Sequence, residues 1–262
     1  MDLVFVGTLL LAVLVGISLG SLGGGGSILT VPILTYVVGM DAQEAIAASL
    51  FIVGTTSAVS TLSHARARRV RWRTGLVFGA AGMAGAFVGG LLGGFVPGTV
   101  LLILFAGMMI ATAVAMMRGR PRQTAATGDG TTSLPVARLV LDGFLVGIAT
   151  GLVGAGGGFL VVPALTLLGG LPVAVAIGTS LLVITMKSFA GLGGYLFTVQ
   201  LQWPVVLAFT AAAVAGSFLG TALAGKIPEK RLRTGFGIFV LVMGVVVLAQ
   251  ELPAALSLVT GT

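Results

Sequence analysis

The 262-residue sequence contains no cysteine, one histidine and only seven acidic residues. Without cysteine there can be no disulfide, no thiolate metal ligand and no thiol nucleophile. The single histidine, His64, offers no cluster for a metal and no partner for a nucleophile, so neither a metal site nor an enzyme active site is expected. Charge is scarce as well: 8% of residues are charged and 57% are hydrophobic. A soluble domain carries about a quarter charged residues, so this chain reads as an all-α polytopic membrane protein in contact with a lipid bilayer. The formal net charge of +7 does not point to nucleic acid, because the basic residues stand in short clusters between apolar segments. The opening MDLVFVGTLLLAVLVG has no basic n-region and runs directly into the repeat described next, which argues against a removable signal peptide.

Glycine is plentiful, at 42 residues, and it is patterned. GGGGSILTVPIL at Gly23 to Leu34 is echoed by GAGGGFLVVPAL at Gly154 to Leu165. Adding 131 carries Gly16, Gly20, Gly26 and Pro32 onto Gly147, Gly151, Gly157 and Pro163, and the same offset pairs Ser49 with Ser180, Trp72 with Trp203 and Gly85 with Gly216. The chain is an internal duplication, with a first repeat over 1–117, a cytoplasmic linker over 118–137 and a second repeat over 138–262.

Five apolar segments are expected in each repeat: about 3–22, 27–39, 43–63, 74–95 and 99–117, then 138–153, 158–170, 173–195, 204–225 and 232–250. Most approach the ~20 residues that cross ~30 Å of hydrocarbon, but the proline-bearing second segment of each repeat spans only ~20 Å and reads as a half-helix. An odd number of crossings per repeat puts 13 of the 14 basic residues on one side, which is then cytoplasmic. The repeats would therefore have inverted topology, with their glycine-broken half-helices meeting near the midplane and both termini outside. The first two segments of each repeat could both cross or could form a re-entrant pair. Such an architecture fits a secondary transporter of an inner (cell) membrane; a duplication that merely built a stable bundle is the plainer alternative.

The paired glycine motifs, with AIAASLFIVGTTSAVSTLSHARARRVRWR in the first half and AIGTSLLVITMKSFAGLGGYL in the second, resemble the TauE/SafE sulfite exporter family of membrane permeases over essentially the whole chain except the linker. The resemblance implies transport, usually export, of sulfite, organosulfonates or related oxyanions.

The residues themselves offer a candidate anion site. A helix that begins inside the membrane presents unpaired N–H groups and about half a positive charge, and glycines let backbone approach a ligand closely. Gly23, Gly24, Gly25, Gly26 and Ser27, with Gly154, Gly156, Gly157 and Gly158, are therefore candidate substrate-binding residues; tight helix packing is the competing role, as for Gly75/Gly79, Gly85/Gly89 and Gly216/Gly220. Lys187 is the only basic residue outside the clusters and lies mid-segment, too deep for easy snorkelling. It is a candidate counter-ion for the anion, or else an anchor paired with a carbonyl. Ser180 shares its helical face, with Gly191 and Tyr195 continuing the stripe; Ser49, Thr56, Ser60 and Ser63 form the equivalent stripe, in which Thr56 matches Lys187. Ser49, Thr56 and Ser180 could donate to an oxyanion, or could simply bond to their own backbone. Asp142 lies four residues from Arg138 and reads as half of an interfacial pair, Asp41 and Glu44 as starters of the third segment, His64 as interfacial, and Trp72 and Trp203 as interface anchors. No cofactor is implied. The sequence thus points to an alternating-access transporter of a small anion; a passive anion channel or a non-transporting accessory subunit are its rivals, and the glycine faces leave room for a homo-oligomer.

Overall fold

In the computed structural model the described residues are 3–22, 25–118, 136–154, 161, 165, 171, 173–223 and 229–260. They form nine helical elements and no strand. α1 is Leu3–Leu22, α3 Ala42–Arg66, α4 Trp72–Gly93, α5 Gly98–Arg118, α6 Val136–Val153, α7 Val173–Tyr195, α8 Trp203–Leu223 and α9 Glu229–Thr260. α2 is a short composite, 3-10 over Gly25–Leu29, α over Thr30–Pro32 and π over Ile33–Val37. Pro32 has no N–H to give the helical ladder, and the hydrogen-bond register widens just beyond it. The expected linker and most of the second half-helix lie outside the described residues, as does the side chain of Asp142. Among the described residues, four helices are long and apolar enough to cross a membrane: Ala42–Arg66, Trp72–Gly93, Val175–Tyr195 and Trp203–Ala222.

The glycine pairs set the packing, because a residue without Cβ lets two backbones touch. A Cβ on Gly16 or Gly20 of α1 would strike the carbonyl oxygen of Ala213 or Ser217 in α8, and one on Gly216 or Gly220 would strike that of Val13 or Ile17. Adding 131 generates a second interface with the same contacts: Gly147 and Gly151 of α6 against the carbonyls of Gly82 and Ala86 in α4, and Gly85 and Gly89 against those of Phe144 and Ile148. Each repeat thus lends its first helix to the fourth helix of the other. The glycine faces are used inside the chain, and Cα–H···O contacts of this kind add to the close packing.

α3 and α7, which the offset also matches, run antiparallel against each other. A Cβ on Gly54 would lie 3.2 Å from that of Ser188, and one on Gly178 would lie 3.2 Å from that of His64. In both contacts the residue numbers sum to 242; with the offset of 131, the point that maps onto itself falls between Thr55 and Thr56 on α3 and between Met186 and Lys187 on α7. α5 and α9 also pack on each other, with Gly244 against Met109 and Ile110. α2 folds back along α1, where Gly26 meets the backbone of Val15 and Leu19, and its far end is held by the Tyr36 hydroxyl donating to Glu251 Oε1 at 3.0 Å. Ser27, Ile28, Thr30, Val31 and Leu34 are all fully buried, so α2 is part of the core rather than a surface loop.

Trp72 and Trp203 stand half-exposed at the first residues of α4 and α8. Asp41 is the N-cap residue of α3, and the Glu44 carboxylate in its first turn accepts hydrogen bonds from Gln202 N at 2.9 Å and Nε2 at 3.2 Å, tying α3 to the start of α8.

Candidate functional site

Serine and threonine in these helices mostly donate to a carbonyl of their own helix. Thr61, Thr112, Thr150, Thr179, Thr185 and Thr210 each bond to the carbonyl four residues earlier, at 2.6–2.8 Å. This habit satisfies a hydroxyl where no water is present. Around the self-mapping point of α3 and α7 it fails. The hydroxyls of Thr55, Thr56 and Ser57 on α3 and of Ser188 on α7 are buried without a hydrogen-bond partner among the described residues, and so are Ser60 and Lys187 Nζ.

Lys187 is 1% exposed. Its aliphatic stem lies on Gly82 of α4, where a Cβ would come 2.7 Å from Cδ and 3.0 Å from Cγ and would sit 3.4 Å from the Gly143 carbonyl oxygen of α6. Glycine at 82 is therefore the socket that admits the lysine. A buried, unpartnered ammonium costs several kcal/mol, and a buried hydroxyl about 1–3 kcal/mol. These unmet groups stand near one level of the bundle and could satisfy a bound polar ligand: the ammonium form of the lysine only donates, and each hydroxyl can donate or accept.

Other candidate residues take different places. Gly154 adopts φ +73°, packs on Ile46, and accepts a 3.1 Å hydrogen bond from Ser49 Oγ at its carbonyl. Ser49 is thus bonded to the second glycine junction, seven residues or ~10 Å along α3 from Thr56. Ser180 Oγ donates to Ile177 O at 2.7 Å. Gly25 opens the 3-10 turn, Gly26 serves close packing on α1, and Ser27 is fully buried. Gly23, Gly24, Gly156, Gly157 and Gly158 lie outside the described residues. Of the candidates, Thr56 and Lys187 are the ones that stand at the level of the self-mapping point.

The structure adds Thr55, Ser57, Ser188 and His64 to the polar set. Ser57 and Ser188 are themselves related by the offset of 131, a signal present in the sequence. His64 is 4% exposed in the last turn of α3, beside the basic loop. Gly178 makes room for it, and the Gly20 backbone carbonyl hydrogen-bonds the imidazole while Nε2 has no partner.

A duplicated helical bundle with interleaved first helices and a buried cation at its symmetry point, in a chain this apolar, is a multi-pass membrane transporter. Comparison with known sequences narrows the class: the sulfite exporter TauE/SafE family pattern matches residues 8–247, and the chain belongs to that family. It is 34% identical over 238 residues to a probable membrane transporter protein of Xylella fastidiosa, covering 90% of this chain and 91% of that one. Probable membrane transporter proteins of Methanocaldococcus jannaschii (27% identity; 91% and 94% covered) and Bacillus subtilis (25%; 92% and 98%) are similar along their whole lengths. No solved structure matches.

Proposed function

We propose that the protein is a secondary transporter of the inner membrane that moves a small oxyanion of the sulfite or organosulfonate kind, outward, by alternating access. The observation that carries this reading is Lys187, a fully buried lysine whose Nζ has no partner, seated on Gly82 at the point where the two repeats map onto each other. A midplane site between repeats is where such carriers bind substrate, because it is reachable from either side by equivalent motions of the two halves. The antiparallel run of α3 and α7 supports inverted insertion of the repeats, with Arg66 to Arg73 on the cytoplasmic side. Lys187 supplies charge and the hydroxyls of Thr56, Ser57 and Ser188 supply directed donors; the backbone N–H groups of the two glycine junctions, Gly23 to Ser27 and Gly154 to Gly158, are further candidate donors. Sulfonate and sulfite oxygens accept from all of these.

The test is sulfite and methanesulfonate flux into proteoliposomes, with binding measured on the same samples, for the native chain, Lys187→Ala and Gly156→Leu. Saturable native flux that disappears in both variants, each still folded by size exclusion, supports a carrier with this site. Flux that stays linear in concentration indicates a channel, and undiminished flux in Lys187→Ala refutes the site.

A further inference from the structure

Three successive turns of α3 leave a polar atom without a partner on one face: Ser57 Oγ, Ser60 Oγ and His64 Nε2, at spacings of three and four residues. All three residues are at most 4% exposed. They run from the level of Lys187 to the turn that precedes Arg66, Arg68 and Arg69, a climb of seven residues or ~10 Å. The opposite direction looks different. At the offset of 131, Ser57, Ser60 and His64 become Ser188, Gly191 and Tyr195 on α7. Gly191 has no side chain to offer, and the Tyr195 hydroxyl is satisfied, donating to Leu152 O at 2.5 Å while it fills the space over Gly93.

From this asymmetry, and resting on the transport reading above, we infer that Ser57, Ser60 and His64 form the basic-side half of the substrate path, a ladder of two hydroxyl donors and a titratable imidazole that hands the anion between Lys187 and the arginine loop. Three unmet polar groups on one face would be a costly way to build an interhelical contact, since each could turn to its own helix carbonyl as Thr61 does on the neighbouring face. As a track they are each satisfied in turn by the anion. His64 is the last rung: its other ring nitrogen gives its N–H to the Gly20 carbonyl, so Nε2 is a lone pair on the neutral ring and donates to the anion when the imidazole is protonated. On the Tyr195 side Ser188 is free, but beyond it the two matching positions on α7 offer no free donor: Gly191 has no side chain and the Tyr195 hydroxyl is bonded to Leu152.

The absence of native cysteine makes the test direct. Single cysteines are placed at Ser60 and, as a control, at Leu62, which is 60% exposed on the outer face of the same helix. A membrane-impermeant cationic thiosulfonate is applied to sealed vesicles of each orientation. Ser60→Cys should react from the arginine side at least about ten-fold faster than Leu62→Cys, which faces hydrocarbon that excludes the charged reagent. Unreactive methanesulfonate should slow the reaction. Separately, His64→Leu should lower flux about ten-fold through loss of a hydrogen bond to a charged ligand, while His64→Gln, which keeps a donor, should retain most of it. A Ser60→Cys thiol that is unreactive, or that reacts only from the Tyr195 side, overturns the ladder, as does equal flux in the two His64 variants. Accessibility does not depend on knowing the cargo, so absent sulfonate flux with a reactive, unprotected Ser60→Cys would discard the substrate reading alone.

Discussion

Replacing Lys187 by Met should make the protein more stable and inactive at once. Met has nearly the length of the lysine stem, so it can occupy the space over Gly82 left by Cγ and Cδ without opening a cavity. What disappears is an ammonium that is 1% exposed and has no hydrogen-bond partner. A lysine near the centre of a membrane helix costs about 2.5–3.5 kcal/mol on insertion scales, and Met close to nothing. Allowing for imperfect repacking, a net gain of ~1–3 kcal/mol follows, which for a chain of this size raises the melting midpoint by roughly 2–10 °C. Thermal unfolding in detergent, followed beside flux in proteoliposomes, reads both quantities. A functional site held against its own stability gives opposite signs: Tm up, transport gone. If Tm falls instead, the ammonium is satisfied within the fold, Lys187 is a structural anchor, and the central argument for the anion site is refuted.

Gly85→Ala and Gly216→Ala should each destabilise by ~1–3 kcal/mol and by similar amounts, because each Cβ meets a backbone carbonyl at a repeat-equivalent place, whereas Gly7→Ala, with open space around it, should be neutral or slightly stabilising; denaturation midpoints compare them. Gly154→Ala should cost more than Ser49→Ala: the first forces a side chain into φ +73° against Ile46, a strain of about 1–3 kcal/mol plus the clash, and the second removes one buried hydrogen bond of ~0.5–1.5 kcal/mol. Exchanging the two central residues, Thr56→Lys with Lys187→Thr, should abolish flux, since Ala213 stands where the repeat would need a glycine socket; adding Ala213→Gly should restore a measurable part of it, and a triple variant as inactive as the double would argue against the socket.

Much of the scaffold was legible because it is written in composition and period. The third segment, expected at 43–63, is α3 at Ala42–Arg66, and the half-helix expected at 27–39 is α2 over Gly25–Val37. The offset of 131 needed only counting. What could not be read is which surface each glycine pair touches. Gly16 and Gly20 announce a close contact, but that the contact is Ala213 and Ser217 in the other repeat follows from three-dimensional interleaving, for which one sequence holds no pairing information. Hydroxyl bonding was equally hidden. Ser180 and Thr56 look alike in sequence, yet one turns to its own helix at 2.7 Å and the other has no partner. The burial of His64 was also hidden: it depends on Gly178, more than a hundred residues away.

The duplication also explains why the centre cannot be symmetric. A fold whose repeats map onto each other between Thr55 and Thr56 brings equivalent positions of two packed helices face to face, and neighbouring helix axes lie only ~8–10 Å apart. Lysine at both positions would place two unscreened cations together in a medium of low dielectric, where even at an effective dielectric of ~20 their repulsion is about 2 kcal/mol at 8 Å, on top of two burial costs. One lysine and one threonine avoid this, and the scaffold follows the chemistry: Gly82 where the lysine stem must lie, Ala213 at the matching place beside Thr56. On the alternating-access reading proposed above, a two-fold related backbone would let the halves exchange roles between outward- and inward-facing arrangements at similar energy, with the charge at the pivot of that exchange. An anion bound there would move little relative to Lys187 while the path to one side closed and the other opened, so the strongest single attraction in the proposed site would not need to be broken during the step that carries the cargo across.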